Sequence, residues 1–299
     1  MEEYLDDTSF LDALEREITV IAINTIAVNS NILRIFIYLS EQIEYKDFWS
    51  LVQIDSHSLV SNVYTNMPVP AIVSIEGNIG SGKSTFINYL SKLFDKKEVV
   101  IVPEPVKEWE GICDKDGKSM LVHFYEDQTR NAFSFQMMVY ISRLACLKKA
   151  IKSNPWAKII ITERCLETDR NVFAKMLYHE GKIREVDYQI YCRWFDEFHK
   201  NLIPSYYIYI RASARICTER IAIRSRDGES GIPYEYLEKC GGNHDEWLSG
   251  LTNVYTCDGS MTTDIGHPIW TKHIQSIMCN LNTTYCRPRK LSDIVNYII

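Results

Sequence analysis

Residues 71–85 read AIVSIEGNIGSGKST, and this stretch decides the fold. Ala71 to Ile75 is short, apolar and β-branched, the character of a strand buried in a parallel sheet. From Ser84 the chain runs STFINYLSKLF, with apolar residues at helical spacing at Phe86, Leu90 and Phe94. Between the two lies Gly77-x-x-x-x-Gly82-Lys83-Ser84. In a strand-turn-helix setting such a run curls its backbone N–H groups around phosphate oxygens at a helix N-terminus. Lys83 is then placed to reach the β- and γ-phosphates, and the Ser84 hydroxyl to ligate Mg2+. The alternative, a glycine-rich turn without a ligand, does not account for a motif complete in its required context. Residues Gly77, Asn78, Ile79, Gly80, Ser81, Gly82, Lys83, Ser84 and Thr85 are therefore the expected contacts to a triphosphate, with ATP the first candidate.

The 299 residues are 46% hydrophobic, enough for one large core or two small ones. Nine cysteines are scattered singly, without a CxxC pair, which points to free thiols in a reducing, cytoplasmic setting and away from a zinc site. The net charge of −6 is unevenly placed. Residues 1–66 hold eleven acidic and three basic side chains, whereas residues 67–299 hold 28 acidic and 30 basic. No basic stripe marks DNA or RNA as a polymer partner.

Residues 1–66 differ in texture from the rest. The apolar run ITVIAINTIAVNSNILRIFIYLS is interrupted by Asn24, Asn29, Asn31 and Arg34, which argues against a membrane span. The acids Glu2, Glu3, Asp6 and Asp7 argue against a mitochondrial presequence. The segment reads as a helical appendage to a catalytic domain at 67–299, or as lying outside the functional polypeptide, with Met67 as the initiator.

From residue 71 strand and helix alternate, with strands expected at 71–75, 99–102, 158–162, 206–210 and 253–257. Five short apolar strands separated by helices predict an α/β fold of three layers, a parallel sheet covered on both faces, with ligands at the strand C-terminal ends. Polar groups recur at those ends: Glu104 in PEP followed by Trp109, then Glu163 and Arg164 in TER. Arg220, Arg224 and Arg226 crowd into seven residues further on. Residues 129–151 read as one helix, so Gln136, Val139 and Arg143 share a face. Buried polar groups on such a face need partners, and a bound base can supply them.

The stretches IEGNIGSGKSTF, PEPVKEW, FSFQMMVYISR, ERCLETDRNVFAKM, RIAIRSRDGESGIPYEYLE and HDEWL closely resemble the deoxynucleoside kinase family, across residues 72–248 and in the family's order. The resemblance implies a P-loop kinase fold with an arginine-rich lid and transfer of the ATP γ-phosphoryl group to the 5′-hydroxyl of a deoxynucleoside. By resemblance Glu104 is the general base, Arg164 meets the 5′-oxygen and the transferring phosphoryl, and Glu163 organises Mg2+. Arg220, Arg224 and Arg226 match the lid. Gln136 matches the reader of the base edge, with Phe135 and Phe173 as its aromatic walls. Tyr125 and Glu229 match groups that hold the 3′-hydroxyl, Val106, Trp109 and Leu121 match apolar lining, and Tyr236 a contact from the lid side. Arg143 with Asp169 resembles the pair in deoxycytidine and deoxyguanosine kinases, and Val139 matches the insect enzyme. Together these imply a preference for deoxyguanosine, deoxyadenosine and deoxycytidine over thymidine.

Cys165 stands where the family usually has serine, and the chain after HDEWL is shorter than in vertebrate members, which leaves the adenine-contacting loop near Asp258 unassigned. The resemblance also implies a homodimer formed through helices away from the active site. Two other readings share the P-loop. A thymidylate-type nucleoside monophosphate kinase calls for a basic group facing the acceptor's phosphate, where this chain offers Glu104. A catalytically inert scaffold does not account for intact Lys83, Ser84, Glu104 and Arg164.

Overall fold

The computed structural model describes residues 70–154, 157–200, 202–224 and 231–284. The expectations for residues 1–66, Arg226 and Glu229 lie outside the described residues. Five strands form one sheet: β1 (Ala71–Glu76), β2 (Val99–Val102), β3 (Ile159–Glu163), β4 (Tyr206–Arg211) and β5 (Val254–Asp258). Their spatial order is β2-β3-β1-β4-β5, and every pairing is parallel. The predicted parallel sheet is thus present, each strand within a residue of its expected bounds.

This order fixes the functional edge. The chain leaves β1 toward β2 and leaves β3 toward β4, so the connections after the neighbouring strands β1 and β3 diverge and open a crevice at their C-terminal ends. Helices fill both faces because the strands alternate. Val73 and Ile75 pack with Phe86, Ile87 and Leu90 of helix α1 (Lys83–Leu93). Ile72 and Ile160 pack on the other face with Tyr140 and Leu147. Those two belong to the long helix α4 (Gln128–Ser153), reached through α2 (Val106–Gly111) and α3 (Met120–Glu126).

After β3 a helix forms in three pieces, Leu166–Thr168, a π-helical Asp169–Ala174 and Lys175–His179. π turns of this kind occur frequently at functional sites. Helices α5 (Glu185–Phe198), α6 (Ala214–Arg224), α7 (Tyr234–Ser249) and α8 (Thr263–Thr284) follow. Among the described residues no helix is long and apolar enough to cross a membrane.

Candidate active site

The turn after β1 depends on glycine for two physical reasons. Gly77 (φ +143) has so little room that a Cβ would stand 2.5 Å from the Ile210 carbonyl oxygen, and Gly80 (φ +79) would place one 2.7 Å from the Cys217 carbonyl oxygen. Gly82 ends the turn in a left-handed conformation, and no side chain caps the first amides of α1. That helix end is open to an anion. Lys83 is buried, and its ammonium donates to the Asn78 carbonyl at 2.7 Å. Burial and the nearby Arg164 charge lower it to about 7, against the opposing pull of Glu163 and Glu104. The Ser84 hydroxyl donates to Glu163 Oε1 at 2.6 Å.

A cavity of about 620 Å³ opens in front of this turn, within the range of about 300–1,000 Å³ of small-molecule sites. Ile79 to Thr85 line one end, with Arg220 and Arg224 of α6. Arg220 donates to the Ser81 carbonyl at 3.0 Å. Gly77 and Asn78 are not on the cavity surface. Gly77 lies behind it, against β4, and the Asn78 amide ties the turn to α7 through the Leu237 carbonyl at 2.7 Å.

Next to the turn, Glu104, Arg143, Arg164 and Asp169 come together from four segments of the chain, and Arg164 Nη2 donates to the Gly77 carbonyl at 3.2 Å. Glu104 Oε1 accepts from Arg143 Nη2 at 3.1 Å and from Arg164 Nη1 at 3.3 Å. Arg143 Nε donates to Asp169 Oδ2 at 2.9 Å and its Nη1 to the Glu163 carbonyl at 2.6 Å. Burial alone would raise the Glu104 carboxyl, but Arg164, Arg143 and Lys83 outweigh it and hold it at about 2. Asp169 is pushed the other way, to about 6, because burial outweighs the attraction of Arg143. Its second oxygen, Oδ1, has no hydrogen-bond partner. Burial also works against the Arg143 charge, yet Asp169 and Glu104 keep that guanidinium above the ordinary arginine value.

The rest of the cavity wall is largely aromatic and apolar. Phe135, Val139 and Gln136 project from α4, with Val106, Trp109, Leu121 and Tyr125 from α2 and α3. Phe173 and Tyr236, which share a cluster with Ile79 of the turn, also line the cavity. Trp109 is anchored by donating from Nε1 to the Ser142 hydroxyl at 2.8 Å. Gln136 is 2% exposed and its Oε1 has no partner, a polar atom that a ligand's donor would satisfy. The Arg164 guanidinium lies 5.0 Å from the centre of the Phe173 ring.

Several lining residues were missed in the sequence. Phe124 stacks on Phe135 at 4.2 Å between ring centres, and its spacing from Leu121 on one short helix was a usable signal. Ile223, Met261, Thr262, Thr263, His267 and Trp270 also face the cavity. The last five follow β5, in the stretch after Asp258 that the sequence left unassigned.

The cavity can therefore cradle a triphosphate on the turn and hold a neutral acceptor group beside Glu104. The family described as "Deoxynucleoside kinase" matches residues 73–283. Deoxycytidine kinase of Rattus norvegicus is 37% identical over 196 residues, 59% of this chain and 74% of the relative. Deoxycytidine kinase of Mus musculus is 37% identical over 226 residues, 67% of this chain and 86% of the relative. Mitochondrial thymidine kinase 2 of Homo sapiens is 32% identical over 180 residues, 60% of this chain and 64% of the relative.

Proposed function

The chain belongs to the deoxynucleoside kinase family, and from that premise we propose that it phosphorylates the 5′-hydroxyl of deoxyguanosine, deoxyadenosine and deoxycytidine in preference to thymidine. ATP is the phosphoryl donor. The observation that carries this reading is Glu104, held between two arginines in the same cavity as the phosphate-binding turn.

Phosphoryl transfer of this kind is mostly positioning and charge neutralisation. Both arginine contacts fall on Glu104 Oε1, so Oε2 is the atom offered to the 5′-hydroxyl. A carboxylate held at about 2 is a weak base at neutral pH. It orients the hydroxyl and accepts its proton late, as the oxygen–phosphorus bond forms and the alcohol becomes acidic. Arg164 then remains beside the developing charge, with Lys83 close by and Arg220 on the turn. The Ser84 hydroxyl and Glu163 carboxylate are adjacent hard oxygen donors, a set that fits Mg2+ completed by phosphate oxygens and water. When bound there, the ion supplies charge neutralisation for the phosphate oxygens.

Gln136 offers its amide to the base edge, and Phe135 and Phe173 its flanking faces. The Arg143–Asp169 pair narrows the space a thymine methyl needs and offers donors to a cytosine or purine edge. A monophosphate acceptor fits less well, since the arginines near the acceptor end are already engaged by Glu104 and Asp169. An assay with ATP, Mg2+ and each deoxynucleoside, ribonucleoside and deoxynucleoside monophosphate tests the reading. Highest kcat/KM with a monophosphate, or no turnover with any acceptor, overturns it.

A homodimer is part of the proposal. Val186, Ile190, Trp194 and Phe198 recur every four residues along α5 and are 62, 42, 44 and 37% exposed, with Ile141 of α4 at 49%. An apolar stripe of that kind is covered at low cost by a second copy of itself. The eight described cysteines are all free, in keeping with a reducing, cytoplasmic setting.

A further inference from the structure

Arg164 is the only residue other than glycine with a positive φ, 62°, among the described residues. A left-handed backbone at a long side chain is strained, and it persists only where the surroundings over-determine it. Three consecutive residues at the end of β1 do so here. The Ile75 carbonyl accepts the Arg164 backbone N–H at 3.1 Å, and the Gly77 carbonyl accepts from the Arg164 guanidinium at 3.2 Å.

Between them stands Glu76, fully buried. Strand alternation turns Ser74 and Glu76 to the same face, where the Ser74 hydroxyl and Glu76 share a hydrogen bond of 2.5 Å. The Thr168 hydroxyl lies 2.7 and 2.8 Å from the two Glu76 oxygens. With its proton committed to Glu76, the Thr168 oxygen accepts from the Cys165 backbone N–H at 3.1 Å, and the Cys165 thiol lies 3.3 Å away. The Cys165 amide is the peptide that follows Arg164, so the chain from Glu76 through Thr168 ends on the ψ side of the strained residue. A buried carboxylate in a strand otherwise made of core residues has no packing reason to be there.

We propose that Glu76 and Thr168 form a clamp that holds the backbone of Arg164 in its left-handed conformation and so aims its guanidinium at Glu104. They are positioning residues, acting through Arg164 without touching substrate. The inference rests on the catalytic role proposed above for Arg164.

The test is a double-mutant cycle on the full chain with ATP and the best deoxynucleoside. Thr168→Val keeps shape and removes the hydroxyl. It is expected to lower kcat about tenfold, as for loss of one well-placed interaction in the transition state, with the KM for ATP little changed and Thr168→Ser restoring most of the rate. In an Arg164→Ala background the same Thr168→Val change should cost less than about twofold, because the clamp then has nothing to aim. Unchanged kcat in folded Thr168→Val, or full additivity with Arg164→Ala, overturns the clamp. Should Thr168→Val fail to fold, Glu76→Gln takes its place in the cycle, and unchanged kcat or full additivity overturns the clamp in the same way. If Arg164→Ala itself retains wild-type turnover, the proposed mechanism fails, an outcome distinct from failure of the clamp alone.

Discussion

Glu104→Gln keeps the shape of the side chain and removes the charge on which the site is organised. In the folded protein the carboxyl is drawn from 4.5 to about 2, which at about 1.4 kcal/mol per pH unit is on the order of 3 kcal/mol of favourable interaction. The side chain is 15% exposed, so solvent screens little of this. Because the folded value is depressed, the contribution is complete above the unfolded value near 4.5 and is lost as pH falls toward 2. The variant leaves Arg143, Arg164 and Lys83 facing one another without their shared anion. Thermal denaturation at a series of pH values should show Glu104→Gln less stable than wild type at pH 7, with the gap closing steadily below about pH 4.5. Turnover, followed by ADP release, should fall on the order of 10²- to 10⁴-fold, with ATP still bound. A variant more stable than wild type at pH 7, or one with unchanged kcat, would refute the electrostatic account of the site.

Lys83 supplies a second pH-linked signal. Burial places it near 7 in the free protein, and a bound triphosphate should raise it, so calorimetry of ATP binding in buffers of different ionisation enthalpy should report uptake of roughly half a proton at pH 7. Lys83→Met should abolish that uptake. Glu163→Gln is expected to raise the Mg2+ concentration for half-maximal activity about tenfold, as loss of a ligand-orienting carboxylate does; an unchanged Mg2+ titration would remove Glu163 from the metal's surroundings. Replacing Arg143 and Asp169 together by Leu and Ala should raise kcat/KM for thymidine relative to deoxycytidine by about tenfold or more. Changing Arg143 alone should instead destabilise the protein, because it leaves Asp169 buried without its cation. Trp194→Glu on α5 should shift sedimentation toward the monomer, and an unaltered dimer would exclude that face.

The strand, the glycine turn and the helix after it were legible in residues 71–85 because their signals are local. A β-branched apolar run, positive-φ glycines and helical spacing are all set within a few residues of one another. The same holds for Gln136, Val139 and Arg143, whose shared face follows from the pitch of one helix. Five parallel strands could be counted for a similar reason, each being a short apolar run between helices.

What the linear chain determined by itself was therefore the α/β architecture, the phosphate-binding turn and the set of charged residues at strand ends. Tertiary structure alone decided their partnerships. Glu104 meets Arg143 and Arg164 across separations of 39 and 60 residues, and the opposite displacements of the Glu104 and Asp169 carboxyls come from how many cations reach each one. Nor does any local pattern show that Glu76, inside an apolar strand, bonds Thr168 across 92 residues, or that the segment after β5 turns back to line the cavity. Hydrogen bonds and electrostatic fields act through space, at distances that only the packed sheet and its helices create.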